Sequence, residues 1–337
     1  MAEQGNGLSI KAAVAWYPAD KETVPEGFGP EDIERIGVTE LAVSNELAAP
    51  EMAVLAAREA IAGSGVEAGA IGHLLHSNLY HQGFDVWSAA HYIAQESGAV
   101  AGLPINVQQT CNGAALALHL AAVLLSATPD SDAALVTAAD RFCGPGFDRW
   151  RSDDEAVYGD SGVAVVLGRS GGGNDLLDLL ALEMGADPAF EIQMRGDDAF
   201  GPAPLHHGAP VDLVRPNNVF RASGQAAQLG KSGVEKLFGA AQRAMAKAGV
   251  TPEDIRCVTI PRLTRHMREN VFKPGIDLLL GRRPEYLEHD TGCLGPAEYL
   301  ADLAEIAEAL EPGEVGMLVQ GGGGFTFSCT IVRRSAN

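Results

Sequence analysis

Two stretches of the chain share one pattern of apolar and polar positions. Alanine-rich segments at 56–66 and 240–250 place small apolar residues on one helical face, and each closes on a glycine followed by a valine. Apolar segments follow at 71–75 and 255–260. The spacing predicts an amphipathic helix ended by glycine, a turn and a buried strand in each stretch. Because the alanines, glycines, valines and isoleucines recur at one constant offset, we interpret the two units as an internal duplication.

Each predicted half also ends in a strand that glycines introduce. A Gly-Asp-Ser-Gly segment at 159–162 and four glycines at 321–324 each precede a long apolar run. Such runs are typical of strands buried on both faces. We therefore predict an α/β protein in which two duplicated halves, 1–172 and 173–337, stack as a layered sandwich. The intervening segment 175–215 is rich in Gly, Pro and Asp with weak periodicity, which predicts an irregular cap or lid.

Composition and charge narrow the classes of function. Hydrophobic residues make up 46% and charged residues 20% of the 337 positions, as in soluble globular proteins. The formal charge of −20 opposes nucleic-acid binding, which needs many Lys and Arg on one face. No apolar run reaches the about 20 residues that span a bilayer, and the N-terminus lacks the order of a signal peptide. We expect a cytoplasmic protein with neither nucleic acid nor membrane as partner.

The cysteines and histidines do not form a metal-binding pattern. Five cysteines lie scattered at positions 111, 143, 257, 293 and 329, without a CxxC pair. An odd, dispersed set argues against a disulfide framework and against structural zinc. The pair His206–His207 has no cysteine or carboxylate at a ligand spacing. We predict no metal and no cofactor.

One segment is basic within this acidic chain. Between 262 and 283 it carries Arg262, Arg265, Arg268, Lys273, Arg282, Arg283 and His266. A solvated helix face is one interpretation of such a charge run. The other is a binding surface for an anionic donor, such as a CoA phosphate or an acidic carrier protein. The sequence alone leaves both open.

Cys111 has the local context of a reactive cysteine. A short predicted strand at 105–107 meets a polar turn, and a long alanine- and leucine-rich helix begins near Asn112. The unpaired N–H groups and the dipole of a helix N-terminus favour a thiolate there. The same N–H groups can face a developing oxyanion. The alternative is a buried structural cysteine, which is the usual state of a lone Cys.

Three motifs in order resemble the β-ketoacyl-ACP synthase III (KAS III) family of the thiolase superfamily, over nearly the whole chain. They are 109–113 around Cys111, Gly-Asp-Ser-Gly-Val-Ala at 159–164, and Gly-Gly-Gly-Phe-Thr-Phe at 322–327. The resemblance implies a thiolase fold, a layered αβαβα sandwich. It further implies that Cys111 accepts an acyl group, that the N–H groups of Cys111 and Gly324 form an oxyanion hole, and that the protein is a homodimer.

The departures from that family are equally informative. Condensing members have a histidine in Pro-His-Gln-Ala-Asn and an asparagine in Gly-Asn-Thr-Ser, which stabilise the enolate formed from a malonyl extender. Arg262 and Cys293 stand at these positions here. Arginine stays protonated and a thiol is a weak donor. The segment 292–298 resembles more closely a branch that acylates hydroxyl or amine groups in secondary metabolism, although that branch has a histidine where Cys293 lies.

Transfer to an alcohol needs a base, and histidine suits that role near neutral pH. We predict His266, one helical turn after Arg262, oriented by Asp290 or Glu298; His289–Asp290 is the second candidate, and a surface histidine is the alternative for His266. Candidate substrate-binding residues are Arg262, Arg265, Arg268, Cys293 and Trp87, the last in a segment where the family places its dimer contact and acyl pocket.

The hypothesis from sequence is an acyltransferase of polyketide-type secondary metabolism. It takes an acyl group from an acyl-CoA or an acyl-carrier protein onto Cys111 and passes it to a small hydroxyl or amine acceptor. One alternative is a β-ketoacyl synthase III that condenses an acyl thioester with a malonyl thioester. The other is a non-catalytic homologue that binds carrier protein.

Overall fold

The computed structural model describes residues 7–100, 102–323 and 325–336. Its main sheet has ten strands and a separate small sheet pairs two more. The strands are β1 Leu8–Trp16, β2 Lys21–Thr23, β3 Glu40–Ala42, β4 Ile71–Ser77, β5 Leu103–Val107, β6 Ala133–Asp140, β7 Ser161–Arg169, β8 Leu177–Ala186, β9 Ile255–Thr259, β10 Glu285–Tyr286, β11 Val315–Gly322 and β12 Thr326–Arg334.

The described helices include single turns as well as long elements. They are α1 Pro30–Ile36, α2 Ala49–Ser64, α3 Ala89–Ser97, α4 Gly113–Ala127, α5 Ile192–Arg195, α6 Val214–Ala222, α7 Ala226–Ala248, α8 Arg265–Met267, α9 Lys273–Leu280 and α10 Ala297–Ala309. A π-helical turn, Arg268–Phe272, joins α8 to α9.

The order of the strands displays the duplication. The ten-stranded sheet runs β10-β9-β11-β12-β8-β1-β7-β6-β4-β5. Each half therefore contributes five strands in the same relative order, outward from β1 in the first half and from β8 in the second. The halves join where β1 pairs antiparallel with β8, at Ser9 with Asp178 and Ile10 with Leu177.

Helices cover both faces of this sheet. Helices α2 and α3 pack on the first half, and their alanines form one buried cluster with β4, β6 and β7. Helix α7 and Ile276 and Leu280 of α9 form the equivalent cluster on the second half. Between them, α4 and α10 share a third cluster with strands of both halves. The αβαβα thiolase fold predicted from the motifs is the observed one.

The predicted helix–turn–strand units are confirmed. Gly65 after α2 and Gly249 after α7 both adopt the left-handed conformation, with φ of 70° and 66°. The position needs glycine because a Cβ disfavours that region. The strands that follow are β4 and β9, as expected.

The predicted irregular cap is only partly correct. Strand β8 occupies Leu177–Ala186 and pairs along its length with β12, so this part of 175–215 belongs to the sheet. Its otherwise apolar sequence contains the charged residues Asp178 and Glu183, so the pattern did not predict a buried strand. The remainder, 187–213, has only short turns of helix and is otherwise irregular.

One helical segment, Thr110–Ala127, is long and apolar enough by length and composition to cross a membrane. The core between the two halves requires the same composition of it. Ala114, Ala117, Leu118, Ala121 and Leu125 of α4 are fully buried there.

The aspartate of the Gly-Asp-Ser-Gly motif fixes the loops above the first half. Asp160 is fully buried and accepts hydrogen bonds from the backbone N–H groups of Ser44 and Phe142, each at 2.8 Å. Both of its oxygens also accept from the Arg149 guanidinium, at 3.0 and 3.2 Å. The motif is therefore a structural anchor as well as the start of β7.

We expect Asp160→Asn to lower the free energy of unfolding by about 3 kcal/mol, because it leaves the buried guanidinium of Arg149 with only the half-exposed Glu22 as an ionic partner. The midpoint of urea unfolding measures the change. Glu96→Gln is the matched control, since its pair with Arg58 is exposed and should cost less than about 1 kcal/mol. Equal midpoints for the two variants would contradict the anchoring role.

Candidate active site

The candidate nucleophile, Cys111, lies on a strained turn between a strand and a helix. Strand β5 ends at Val107, and a single 3₁₀ turn, Thr110–Asn112, leads into α4. Thr110 has φ of 49°, which is a costly conformation for a β-branched residue and is typical of functional sites. Cys111 follows at once and is half-buried. The first turn of α4, whose N–H groups have no helical partners, begins two residues later.

The glycine-rich end of β11 passes directly over this turn. A Cβ at Gly322 would lie 3.0 Å from the backbone nitrogen of Asn112 and 3.2 Å from that of Cys111. Any side chain there would cover the N–H group of Cys111, so the contact requires glycine. Ser328 on β12 also donates a hydrogen bond to Asn112 at 2.8 Å. Gly324, the predicted second oxyanion donor, lies outside the described residues.

Cys111 opens into a cavity of about 320 Å³. Its walls are mainly apolar and come from α7, the segment 267–275 and the strand after the glycines. The principal lining residues are Leu237, Phe238, Met267, Phe272, Phe325 and Phe327. A mainly apolar cavity that is open to solvent on one side and lined by Cys111 suits an acyl chain and its linker.

A second thiol lies against the nucleophile. Cys293 is buried, lines the same cavity and belongs to the apolar cluster that Cys111 packs against. The proximity of Cys111 and burial raise the pKa of Cys293 well above its usual range, so it remains a thiol. The structure brings the predicted Cys293 to Cys111.

A buried carboxyl group lies close to Cys293 in the chain. Glu298 is 1% exposed and accepts from the N–H of Leu294, the residue after Cys293, at 3.4 Å. Burial raises the pKa of Glu298.

Sequence reasoning missed a polar pair that lies beside Cys293, with which Tyr158 forms a β-bridge. Asp153 and Tyr158 both line the cavity, and the Tyr158 hydroxyl donates to Asp153 at 2.7 Å. Burial raises the pKa of each. The sequence signal that could have indicated this pair was the acidic run 153–155, which comes just before the Gly-Asp-Ser-Gly motif.

Arg262 does not contact the cavity, which corrects its prediction as a substrate-binding residue. Its side chain is 1% exposed and donates to Asp302 at 2.7 Å, to Glu305 at 3.0 Å and to Thr291 at 2.9 Å. Burial disfavours the charge, but the carboxylates outweigh it and raise the pKa of Arg262. The neighbouring Leu263, not Arg262, reaches the cavity.

The same network of ion pairs includes three residues of types that often bind metal ions. His289, Asp302 and Glu305 place their ligand atoms within 4.8 Å of one another. The guanidinium of Arg262 already contacts both carboxylates, so a cation is present at this position without a metal. Nδ1 of His289 lies 2.7 Å from Glu305.

The structure does not place the predicted base, His266, or its partner Asp290 at the described cavity. His266 is exposed and contacts Asn270 on its own helical segment, while Asp290 is exposed in the loop after β10. The cause is helical phase: α8 starts at Arg265, and Met267 is the residue that this turn presents to the cavity.

The basic segment does not form one binding surface. Arg268 is buried against Glu288, and Lys273 is buried between Glu269 and Glu288, so both are neutralised by acids. Arg265 is exposed, and its role in donor binding stays a prediction. The reading of 262–283 as a solvated helix face is equally incomplete, because these two residues and Arg262 are buried.

Trp87 lies away from the described cavity. It is 41% exposed and packs with Phe84 and Tyr92 at ring-centroid distances of 5.5 and 5.8 Å. Phe84 and Trp87 belong to the loop before α3, and Tyr92 lies on α3 itself, at the edge of the first half.

Comparison with known proteins agrees with this geometry. The profile of the 3-oxoacyl-[acyl-carrier-protein (ACP)] synthase III family matches residues 105–188. The β-ketoacyl-[acyl-carrier-protein] synthase III of Oleidesulfovibrio alaskensis is 23% identical over 290 residues, which are 84% of this chain and 83% of that protein.

Solved structures extend the likeness to the whole chain. ChlB3, described as an acyltransferase, matches with a TM-score of 0.85 and 29% identity, covering 97% of this chain and 98% of that one. The Aquifex aeolicus 3-oxoacyl-[acyl-carrier-protein] synthase III matches at 0.75 and 20% identity, covering 97% and 99%. The priming β-ketosynthase of the R1128 polyketide pathway matches at 0.77 and 19%, covering 98% and 97%; these last two show the fold alone. The chain is thus similar in sequence to KAS III proteins and shares the thiolase fold of these structures.

Proposed function

We propose that the protein is an acyltransferase that carries its acyl group as a thioester on Cys111 and passes it to a hydroxyl or amine acceptor. The proposal rests on one observation. Cys111 lines an apolar cavity, whereas the Arg262 side chain lies outside that cavity and pairs with Asp302. The nucleophilic half of the site is present, and the position that would serve condensation is used for a buried ion pair.

The reaction consists of two exchanges at one carbonyl carbon. The Cys111 thiolate attacks the donor thioester, the carbon–sulfur bond to the donor breaks, and the donor leaves as a thiol. The acceptor oxygen or nitrogen then attacks the acyl-cysteine. A carbon–oxygen or carbon–nitrogen bond forms, the bond to Cys111 breaks and the thiolate returns. The Cys111 N–H, left uncovered by Gly322, can donate to the oxyanion in both steps.

Condensation would require additional stabilisation of an enolate. Loss of CO₂ from a malonyl thioester leaves negative charge on the thioester oxygen, which needs strong preorganised donors. At the two positions where the family has its donors, this chain has a guanidinium committed to Asp302 and the weakly donating thiol of Cys293. The relatives named as condensing enzymes make this the reaction to test against.

The cavity and the relatives support a thioester donor and a metabolic setting for the protein. An apolar cavity fits the pantetheine arm that acyl-CoA and acyl-carrier protein share, so either is a suitable donor. The likeness to ChlB3 and to a priming ketosynthase of a polyketide pathway supports a role in secondary metabolism. We place the protein in the cytoplasm, where these donors occur.

We further propose that the protein is a homodimer that pairs through the β5 edge. Strand β5 is the outermost strand of the first half, and an unpaired edge is a template for another strand. On adjacent α4, Val123 is 51% exposed; on the nearby loop, Phe84 is 71% exposed. Val86 is fully exposed and has φ of 49°. This conformation is unfavourable for a β-branched residue, and we propose that a partner chain stabilises it. Together they form one apolar face.

The nucleophile is tested by mass. Incubation with a panel of acyl-CoAs should increase the intact mass of the wild-type protein by one acyl group, because a thioester forms on Cys111. Cys111→Ala should show no adduct. Cys143→Ala is the control, since Cys143 is the other half-buried cysteine of the described chain. An adduct that persists in Cys111→Ala, or none on the wild type with any donor, would contradict the proposal.

The reaction type is tested by CO₂ release. After acylation, addition of carboxyl-labelled malonyl-CoA should release no labelled CO₂, because the enolate lacks its stabilising donors. An authentic bacterial KAS III in the same assay is the positive control. Stoichiometric release by the wild-type protein would establish the condensing function instead.

The dimer is tested by light scattering. The wild-type protein should have twice the monomer mass, and Val123→Glu should be monomeric because it buries a charge at the proposed face. Leu278→Glu is the matched control, since Leu278 is an exposed helical residue on the other half. A monomeric wild type, or a dimer unaffected by Val123→Glu, would refute this interface.

A further inference from the structure

We propose that Tyr158 and Asp153 form the proton-accepting pair for the acceptor in the second half of the reaction. Tyr158 takes the proton from the attacking hydroxyl or amine and passes its own to Asp153. This inference rests on the proposed acyltransferase function. It gives the cavity the base that His266 and Asp290 do not provide.

The pair is positioned between the nucleophile and an otherwise apolar wall. The Tyr158 ring is 4% exposed and packs with Phe142 and Phe147 in the cluster that also contains Cys293 and contacts Cys111. The hydroxyl thereby has one fixed orientation. It donates to Asp153 and keeps the oxygen lone pairs free to accept from a group in the cavity.

Asp153 is held in place without being neutralised. One oxygen accepts from the Glu155 N–H at 2.9 Å and the other accepts from the Tyr158 hydroxyl. No cation contacts it within hydrogen-bonding distance among the described side chains. A carboxylate with only neutral donors in a buried cavity is a stronger base than one in an ion pair.

The neighbouring acids differ from Asp153 in this respect. Asp154 pairs with Arg221 at 2.7 Å, and Glu155 pairs with the same guanidinium at 2.7 Å. Glu155 also lines the cavity. Of the three consecutive acids, Asp153 alone is hydrogen-bonded to the tyrosine. The other two are neutralised by Arg221.

The electrostatic surroundings agree with this role. Burial, and then the charge of Asp153, raise the pKa of Tyr158 well above its usual range, so it remains a phenol and acts as a relay. Burial raises the pKa of Asp153, and the nearby Glu155 and Asp154 act in the same direction. A carboxyl group whose pKa is raised toward neutrality is better matched to general-base work at neutral pH.

The proton balance of the step is complete. As the acceptor oxygen or nitrogen bonds to the acyl carbon, its proton moves to the Tyr158 oxygen and the phenolic proton moves to Asp153. The carbon–sulfur bond breaks and Cys111 leaves as a thiolate. Asp153 afterwards returns its proton to solvent, and no oxidant, metal or further reactant is required.

The test separates the two half-reactions. Cys111 is loaded with whichever of acetyl-, butyryl- and benzoyl-CoA acylates it most fully, excess donor is removed, and loss of the acyl mass is followed in buffer alone and in hydroxylamine. Water and simple alcohols need a base, whereas hydroxylamine attacks a thioester unaided. Asp153→Asn and Tyr158→Phe should slow deacylation in buffer by about 10²-fold or more and leave loading and hydroxylamine release unchanged.

The pH profile and the controls make the role specific. Since the base must be ionised, the wild-type deacylation rate in buffer should rise with pH through the raised pKa of Asp153, and Asp153→Asn should lose that rise. Glu96→Gln, which changes an exposed carboxylate paired with Arg58 away from the cavity, should match the wild type. Wild-type rates in both test variants, or an equal loss in loading and in hydroxylamine, would overturn the assignment. Failure of the wild-type protein to load at all would instead overturn the acyltransferase function itself.

Discussion

The site depends on one close contact between bare backbones, where the glycine-rich end of β11 crosses the turn that carries Cys111. A Cβ at Gly322 would come within 3.2 Å of the Cys111 nitrogen. This contact joins the two halves of the molecule, since the nucleophile comes from the first half and the glycines come from the second. The duplication therefore has a chemical consequence. Neither half contains a complete site, and the amide that faces the oxyanion is shaped by both.

The surrounding packing makes that contact rigid. The alanines and leucines of helix α4 are buried between the two halves of the molecule. The core therefore fixes the position of the first turn of this helix. Thr110 accepts an unfavourable conformation at the entry to this helix. Such strain persists only where the rest of the structure over-determines the backbone. The position of Cys111 thus follows from the packing of the whole middle layer.

Much of this architecture could be predicted from the sequence, because it depends on local patterns. Glycines at 65 and 249, buried strands and the helix after Cys111 all leave short-range signals. The remaining features depend on contacts between distant residues. Nothing near Arg262 shows that Asp302 lies within reach of its guanidinium, and nothing near Asp153 shows that its partner is Tyr158. The position of His266 outside the described cavity has a smaller cause, a helix that begins one residue before it.

The burial of Arg262 limits what can replace it. A neutral side chain at position 262, histidine included, would leave Asp302 and Glu305 without the guanidinium that neutralises them in a low-dielectric interior. Because Arg262 does not line the cavity, such a substitution would disturb the packing of the second half before it altered the surroundings of Cys111.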